Sequence, residues 1–331
     1  MLSYIFRRLI IASFMLIGIG VVSFLVIKLP PGDFASRYQQ YLIDRGTARE
    51  EAERAAQIVR QQYGLDKPTT TQFFLWVKEM VTKGKFGYSF AYRKDVGALI
   101  ADRLPKTLML AVLCHAISTV VGVGLGIFVA PRKYGFWDNL WAILAFIFTS
   151  VPRFSIAIII LYIVVIDLKL PSISSFYSPQ YVFASWSLGK VLDMFRHIWP
   201  VLVIAGLGGV ARNLRVMRAN LLDVLGSQYV QTARSKGLRE TMVILKHAVP
   251  NALHTIVAYQ GTVLPYMMQG ELEAAIVLGL PTMGPLFYES LVNQDIYVSG
   301  SLLLMYGAMI LAGNLLADIF LAVLDPRIRY S

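Results

Sequence analysis

Few polar residues stand where an apolar chain should carry none: Arg153, Glu271, Glu273 and Asp318, with the amide Asn314 one turn before the last. Arg153 falls in Ser150-Val151-Pro152-Arg153-Phe154, inside the apolar run Leu140 to Ile166. An arginine at membrane depth costs at least about 2.5 kcal/mol unless it is paired or faces water. Arg153 is therefore a candidate for a solute path; the alternative is a paired or snorkelling arginine near a span boundary. Glu271 and Glu273 follow an apolar stretch and either shape an outer gate that recognises a polar solute or mark the end of a span. Asn314 and Asp318 share one helical face, suited to hydrogen bonding between helices or to contact with cargo. None of this is bond-making chemistry. No Gly-x-x-x-x-Gly-Lys-[Ser/Thr] phosphate loop, His-Glu-x-x-His pair, Ser-His-Asp set or paired-acid arrangement emerges. An intramembrane enzyme needs a nucleophile beside a base, and none stands out. Cys114 is the only cysteine, and His115, His197, His247 and His254 are scattered, so a disulfide within the chain and a metal-ligand cluster are not expected. The chemistry on offer is recognition and passage, and the energy for it must come from elsewhere.

The elements that would position these residues are membrane spans. Of the 331 residues 56% are hydrophobic, and the mean hydropathy is +0.58, too apolar for a soluble domain. The net charge of +11 fits basic cytoplasmic loops facing anionic lipid; no motif supports a nucleic-acid partner. The expected fold is an all-α membrane protein with six transmembrane helices and a mainly helical insert between spans one and two. Residues 1–29 form the N-terminus and first span, 30–104 the external insert, and 105–331 a core of five spans. In the insert, Thr47 to Leu65 and Phe73 to Val81 read as helices and Gly84 to Phe90 as a turn. Span two runs from Leu108 to Ala130, where Ser118, Gly122, Gly126 and Ala130 make a small-residue stripe for close packing or sliding. Span three, Leu140 to Ile166, is bent at Pro152. Asp167 to Arg196 is a polar external segment. Span four covers about Ile198 to Leu214, span five Ala252 to Met268 and span six Gly300 to Val323.

Between spans four and five the chain turns polar and basic, over about residues 217–250. Arg212, Arg215 and Arg218 lie three apart, and with Arg234, Lys236, Arg239 and Lys246 they mark this loop as cytoplasmic. Gly226 and Gly237 bracket a short helix, Gln228 to Lys236, with Gly237 as its stop. A second helical stretch runs to Pro250. A short helix held out between two spans is a shape suited to docking another protein.

This loop resembles the "EAA" loop of ABC importer permeases: Gln231-Thr232-Ala233, then Gly237, then His247-Ala248-Val249-Pro250 at the same spacing. Gln-Tyr-Val-Gln-Thr-Ala-Arg-Ser-Lys-Gly-Leu is closest to the dipeptide/oligopeptide/nickel branch. Gly87-Tyr88-Ser89 and the terminal Asp325-Pro326-Arg327-Ile328-Arg329 also match that branch. Arg153, Ala275 and Thr282 depart from it, which bears on the substrate more than on the fold. The resemblance implies a type I ABC importer-like arrangement in a bacterial inner membrane, multi-pass, with both termini cytoplasmic. It implies a non-catalytic permease subunit that binds no cofactor itself. Its partners would be a second homologous permease, two ATP-binding subunits carrying ATP and Mg, an external substrate-binding protein, and lipid. Tyr229, Gln231, Thr232, Ala233, Arg234, Gly237 and Pro250 would form the ATPase-docking loop, with Ala233 allowing close approach and Arg234 anchoring. Arg153, Glu271, Glu273, Asn314 and Asp318 would line the solute path. Di- and oligopeptides are the expected cargo, ahead of oligosaccharides and nickel complexes. A secondary transporter is the alternative; it would show inverted repeats and mid-span ion sites, and no clear repeat is visible.

Overall fold

The computed structural model describes residues 2–167, 174–257 and 272–324. Helix α1 spans Leu2–Ile27, α2 Phe34–Asp44, α3 Arg49–Gln62 and α4 Thr69–Lys83. A two-stranded antiparallel hairpin follows, β1 Tyr88–Ser89 with β2 Lys94–Asp95. Then come α5 Val96–Val129, α6 Phe136–Ser150, α7 Arg153–Tyr162, α8 Leu188–Leu225 and α9 Gln228–Ser235. Helix α10 opens at Glu240–Met242, passes through π-helical turns over Val243–Ala248 and continues to residue 257. The last helices are α11 Leu272–Leu278, α12 Met283–Val292 and α13 Ile296–Leu324. Among the described residues four helices are long and apolar enough to cross a membrane, and six spans result if α6 with α7 and α11 with α12 each count as one broken span. Glu271, much of the expected fifth span and the Asp325–Arg329 terminus lie outside the described residues.

The chain divides into two compact units, Met1–Lys106 with Thr282–Ala312, and Thr107–Pro281 with Gly313–Tyr330. The first unit is built on aromatic packing. Phe24, near the end of α1, is 1% exposed and stacks on Trp76 of α4, ring centroids 5.8 Å apart. The Trp76 indole donates to the Phe86 carbonyl at 2.8 Å, so the one polar atom of a buried ring is satisfied. Lys28 donates to Gln72 Oε1 at 2.8 Å. These contacts seat the helical insert on the end of the first span.

Asp33 caps α2 by accepting from the Ser36 amide at 2.8 Å, as an N-cap side chain should. It also accepts from Arg60 of α3, Nε at 2.7 Å and Nη2 at 3.0 Å. Burial alone would raise the carboxyl, but the hydrogen bonds from Arg60 and Ser36 and the guanidinium charge outweigh it and bring the pKa down from 3.8 to about 2. A depressed carboxyl stabilises the fold above its unfolded pKa and loses that contribution as pH falls through the folded one. Hydrogen exchange of the α2–α3 amides, corrected for intrinsic rate, is expected to speed up as pH drops from about 4 towards about 2. Asp33→Asn should cost about 1 kcal/mol at neutral pH, after screening of this part-exposed pair, and flatten that pH dependence.

The hairpin is clasped to the start of α13. Ser89 is wholly buried and its hydroxyl donates to Asp295 Oδ2 at 2.7 Å, while the Ala91 amide donates to the same oxygen at 3.1 Å. A Cβ on Gly87 would stand 2.9 Å from Tyr297 Cβ. That contact gives the Gly87-x-Ser89 pattern its physical meaning: the glycine lets the hairpin approach α13, and the serine ties it there.

In the second unit α5 and α8 pack through the small-residue stripe. A Cβ on Gly122 would lie 2.7 Å from the Val210 carbonyl oxygen, and one on Gly126 would lie 2.6 Å from Met217 Cβ. Asn213, 3% exposed, donates to the Ser118 carbonyl at 3.2 Å. The stripe is thus a packing surface in this structure. Helices α6 and α7 bend by 96° at Val151-Pro152. Pro152 supplies no amide proton and Val151 is extended (φ −81°, ψ 126°). Helix α8 reaches well beyond the expected span on both sides, because its ends are polar but still helical.

Candidate docking loop and solute path

Helix α9 sits between the long α8 and the start of α10, as the two glycines led one to expect, one residue shorter at its end. Gly237 has φ +76°, a left-handed conformation that glycine alone adopts without strain. Its amide donates to the Arg234 carbonyl at 2.9 Å, closing the helix.

The two faces of α9 differ. Val230 (0% exposed) and Ala233 (5%) point inward and join a core cluster with Met217 and Leu221 of α8 and with Val243, Ala248 and Val249 of α10. Tyr229, Gln231, Thr232, Ser235 and Lys236 are exposed. The small side chain of Ala233 therefore serves close approach between α9 and its own chain. Arg234 also turns home: Nε and Nη2 donate to Glu240 Oε2 and Oε1 at 3.1 and 2.6 Å. That bidentate hydrogen bond holds the Glu240 carboxyl below its usual range and spans the Gly237 corner. The Tyr229 hydroxyl accepts from Asn251 Nδ2 at 2.8 Å. The Thr232 hydroxyl donates to the Gln228 carbonyl at 2.9 Å. The surface left for a partner is mainly polar, Gln228, Gln231, Thr232, Ser235 and Lys236, with the exposed ring of Tyr229 beside it.

Pro250 does not end a helix. It lies inside α10, directly after the π-helical turns. Those turns re-aim the carbonyls that a proline cannot satisfy, so the helix carries on past it.

One further contact fixes this region, and the sequence did not reveal it. Asp138, in the first turn of α6, is 2% exposed. It accepts from Arg218 of α8, Nε at 2.5 Å and Nη2 at 2.6 Å, and from the Tyr134 amide at 2.8 Å. Of the three arginines spaced by three, Arg218 is thus structural, Arg215 is exposed and Arg212 is half-buried.

The proposed path residues are less gathered. Arg153 is half-buried at the first turn of α7, beside the Pro152 break. Its guanidinium lies against α8: a Cβ on Gly208 would come within 3.2 Å of Nη2. Glu273 is exposed in the first turn of α11. Asn314 is exposed and Asp318 half-buried, one turn apart on α13. Glu271 is not among the described residues. Ala275 is fully buried in the core of α7, α8 and α11, where a glutamate would need a partner. Among the described residues no group of three or more His, Cys, Asp or Glu could hold a metal ion.

Two family matches cover this architecture. Residues 122–330 match the binding-protein-dependent transport system inner membrane component. Residues 1–111 match the N-terminal part of such membrane components. The chain is 32% identical over 334 residues to the oligopeptide transport system permease protein OppB of Haemophilus influenzae, covering all of both chains. It is 30% identical over 332 residues to the oligopeptide transport system permease protein AppB of Bacillus subtilis, again over the full length of each. The membrane-crossing helices, the outlying α9 and these full-length matches agree: the chain belongs to the binding-protein-dependent transport system inner membrane component family, the multi-pass permease subunits of ABC transporters that work with ATPase and substrate-binding partners.

Proposed function

We propose that the chain forms half of the path by which an ATP-driven importer takes up di- and oligopeptides. The observation that carries this reading is the full-length similarity to two permeases named for oligopeptide transport. In this reading the other half of the path is a second, homologous permease. Two ATP-binding subunits hold ATP and Mg, and a binding protein delivers the peptide from outside. The termini and the α8–α10 loop face the cytoplasm, and residues 30–104 face out.

The mechanism follows from α9. Its exposed polar face, Gln231 to Lys236, seats in a groove of the ATPase. Its buried face, Val230 and Ala233, is packed on α8 and α10, so a push on α9 is delivered to both helices. Closure of the ATPase dimer on ATP favours one arrangement of the spans and hydrolysis favours the other, a two-state element biased from a distance. Arg153, beside the break between α6 and α7, offers a positive charge to the peptide's C-terminal carboxylate.

The test is uptake of a labelled peptide by membrane vesicles with the binding protein supplied. Uptake is expected to survive collapse of ion gradients and to stop when ATP is depleted. Uptake that follows the ion gradient instead would overturn the reading in favour of a secondary transporter.

A further inference from the structure

The insert carries a cleft of about 810 Å³, within the roughly 300–1,000 Å³ of ordinary ligand sites. Its wall is a run of aromatic rings. Phe34 stacks on Tyr38 at 6.5 Å and tilts against Phe90 at 5.3 Å, and Phe90 meets Tyr63 at 4.5 Å. Two arginines stand at its edge, Arg37 on α2 and Arg93 in the hairpin turn, and both are exposed. No Asp or Glu lines the cleft, and among the described residues neither guanidinium has an ion-pair partner. Arg93 is held at φ +52°, a conformation found in only a few per cent of non-glycine residues. That left-handed residue closes the hairpin turn, and the turn carries the Arg93 cation to the edge of the aromatic wall.

We propose that this cleft receives an acidic segment of the external substrate-binding protein, with Asp or Glu side chains on Arg37 and Arg93 and an apolar or aromatic side chain against Tyr38 and Tyr63. The inference rests on the importer reading and on residues 30–104 facing outward. The charge balance selects the occupant. A free peptide brings an ammonium group as well as a carboxylate, and the lining has no acid to receive it. A loop of a larger chain brings carboxylates without that amine. Guanidinium forks pair with carboxylates in bidentate fashion, and charges at the edge of an interface act mainly on encounter and on salt dependence.

The experiment uses the assembled transporter in lipid nanodiscs and its own binding protein, with affinity measured at low and at high salt. Arg37→Glu with Arg93→Glu is expected to weaken binding by about tenfold and to flatten the salt dependence. Arg37→Lys with Arg93→Lys should keep the salt dependence, since the charges remain, and lose less affinity than the charge reversal, the loss being that of the bidentate pairing. Co-elution of all subunits shows that each variant has assembled. A photo-crosslinker at the exposed rim residue Tyr41 should attach to an Asp- or Glu-bearing segment of the binding protein; this measurement stands even if the charge-reversed chain does not assemble. Unchanged affinity in the charge-reversed transporter, or crosslinks that go to lipid or to free peptide, would overturn the proposal while leaving the importer reading intact. A wild-type transporter that binds no binding protein at all would instead bring down the importer reading, and this inference with it.

Discussion

Gly237→Val is expected to lower ATP-driven uptake by roughly tenfold or more, the scale on which a misplaced positioning element lowers a rate, while the chain still inserts and assembles. A valine Cβ at this place would meet no atom within 4 Å, so the damage is confined to the backbone. At φ +76° a β-branched residue costs about 1–2 kcal/mol, too little to unfold the spans. It is enough to move the corner on which two things depend. Gly237 closes α9, and three residues later Glu240 receives Arg234. If the corner relaxes to negative φ, α9 and the start of α10 part company, and the polar face of α9 no longer meets its partner in register. Asparagine tolerates the left-handed region better than other non-glycine residues, so Gly237→Asn should keep uptake within about threefold of the wild type. Vesicle uptake, measured beside co-purification of the ATPase, separates the possibilities. Normal uptake by the valine variant would sink the docking role of this corner. An asparagine variant as inactive as the valine one would show that the partner's groove, rather than the backbone angle, excludes the side chain.

What was legible in the sequence was whatever is encoded locally. Apolar runs of about 20 residues announce spans because the bilayer fixes their length. Small residues at every fourth position fall on one helix face, and Gly122 and Gly126 do meet α8. Gly237 marks the end of α9 because this helix stop needs a left-handed backbone angle, whereas Gly226, between α8 and α9, keeps an ordinary right-handed one. Three kinds of feature escaped. Helix ends beyond the apolar stretch were missed, since hydropathy marks the membrane and not the helix: α5 begins at Val96 and carries Asp102, Arg103, Pro105 and Lys106 before the bilayer stretch. Pairings between distant residues were missed, as with Ser89 and Asp295, 206 positions apart, or Asp138 and Arg218, 80 apart. The direction of each side chain on α9 was missed too. Ala233 and Arg234 belong to the matching loop pattern, and only the structure turns one into the chain's own core and the other onto Glu240. In the proposed docking their part is therefore indirect, by holding α9 at a fixed height over α8 and α10.

That height depends in turn on the C-terminal end of α8, and here the largest loss of stability is expected. Asp138→Ala removes the carboxylate from a pair whose acid is 2% exposed and leaves Arg218 and the Tyr134 amide without their acceptor. Breaking a buried ion pair from one side costs about 3–5 kcal/mol, because the remaining charge keeps its desolvation penalty. The Arg218 side chain is 27% exposed, so water recovers part of it and about 3 kcal/mol is the expected figure. In detergent this should lower the melting midpoint by roughly 5 °C. Asp138→Asn keeps one acceptor oxygen and should lose less. Arg218→Met in the Asp138→Ala background removes the stranded charge and should return part of the midpoint, as replacement of a whole buried pair by apolar groups tends to do. A midpoint within about 1 °C of wild type for Asp138→Ala would mean that the pair is solvated in the membrane and not a fastening. If it is a fastening, uptake should fall further than stability alone explains. Arg218 lies two turns before Leu225, where α8 hands over to α9, so releasing it from α6 would loosen the helix end on which the proposed coupling through α9 relies.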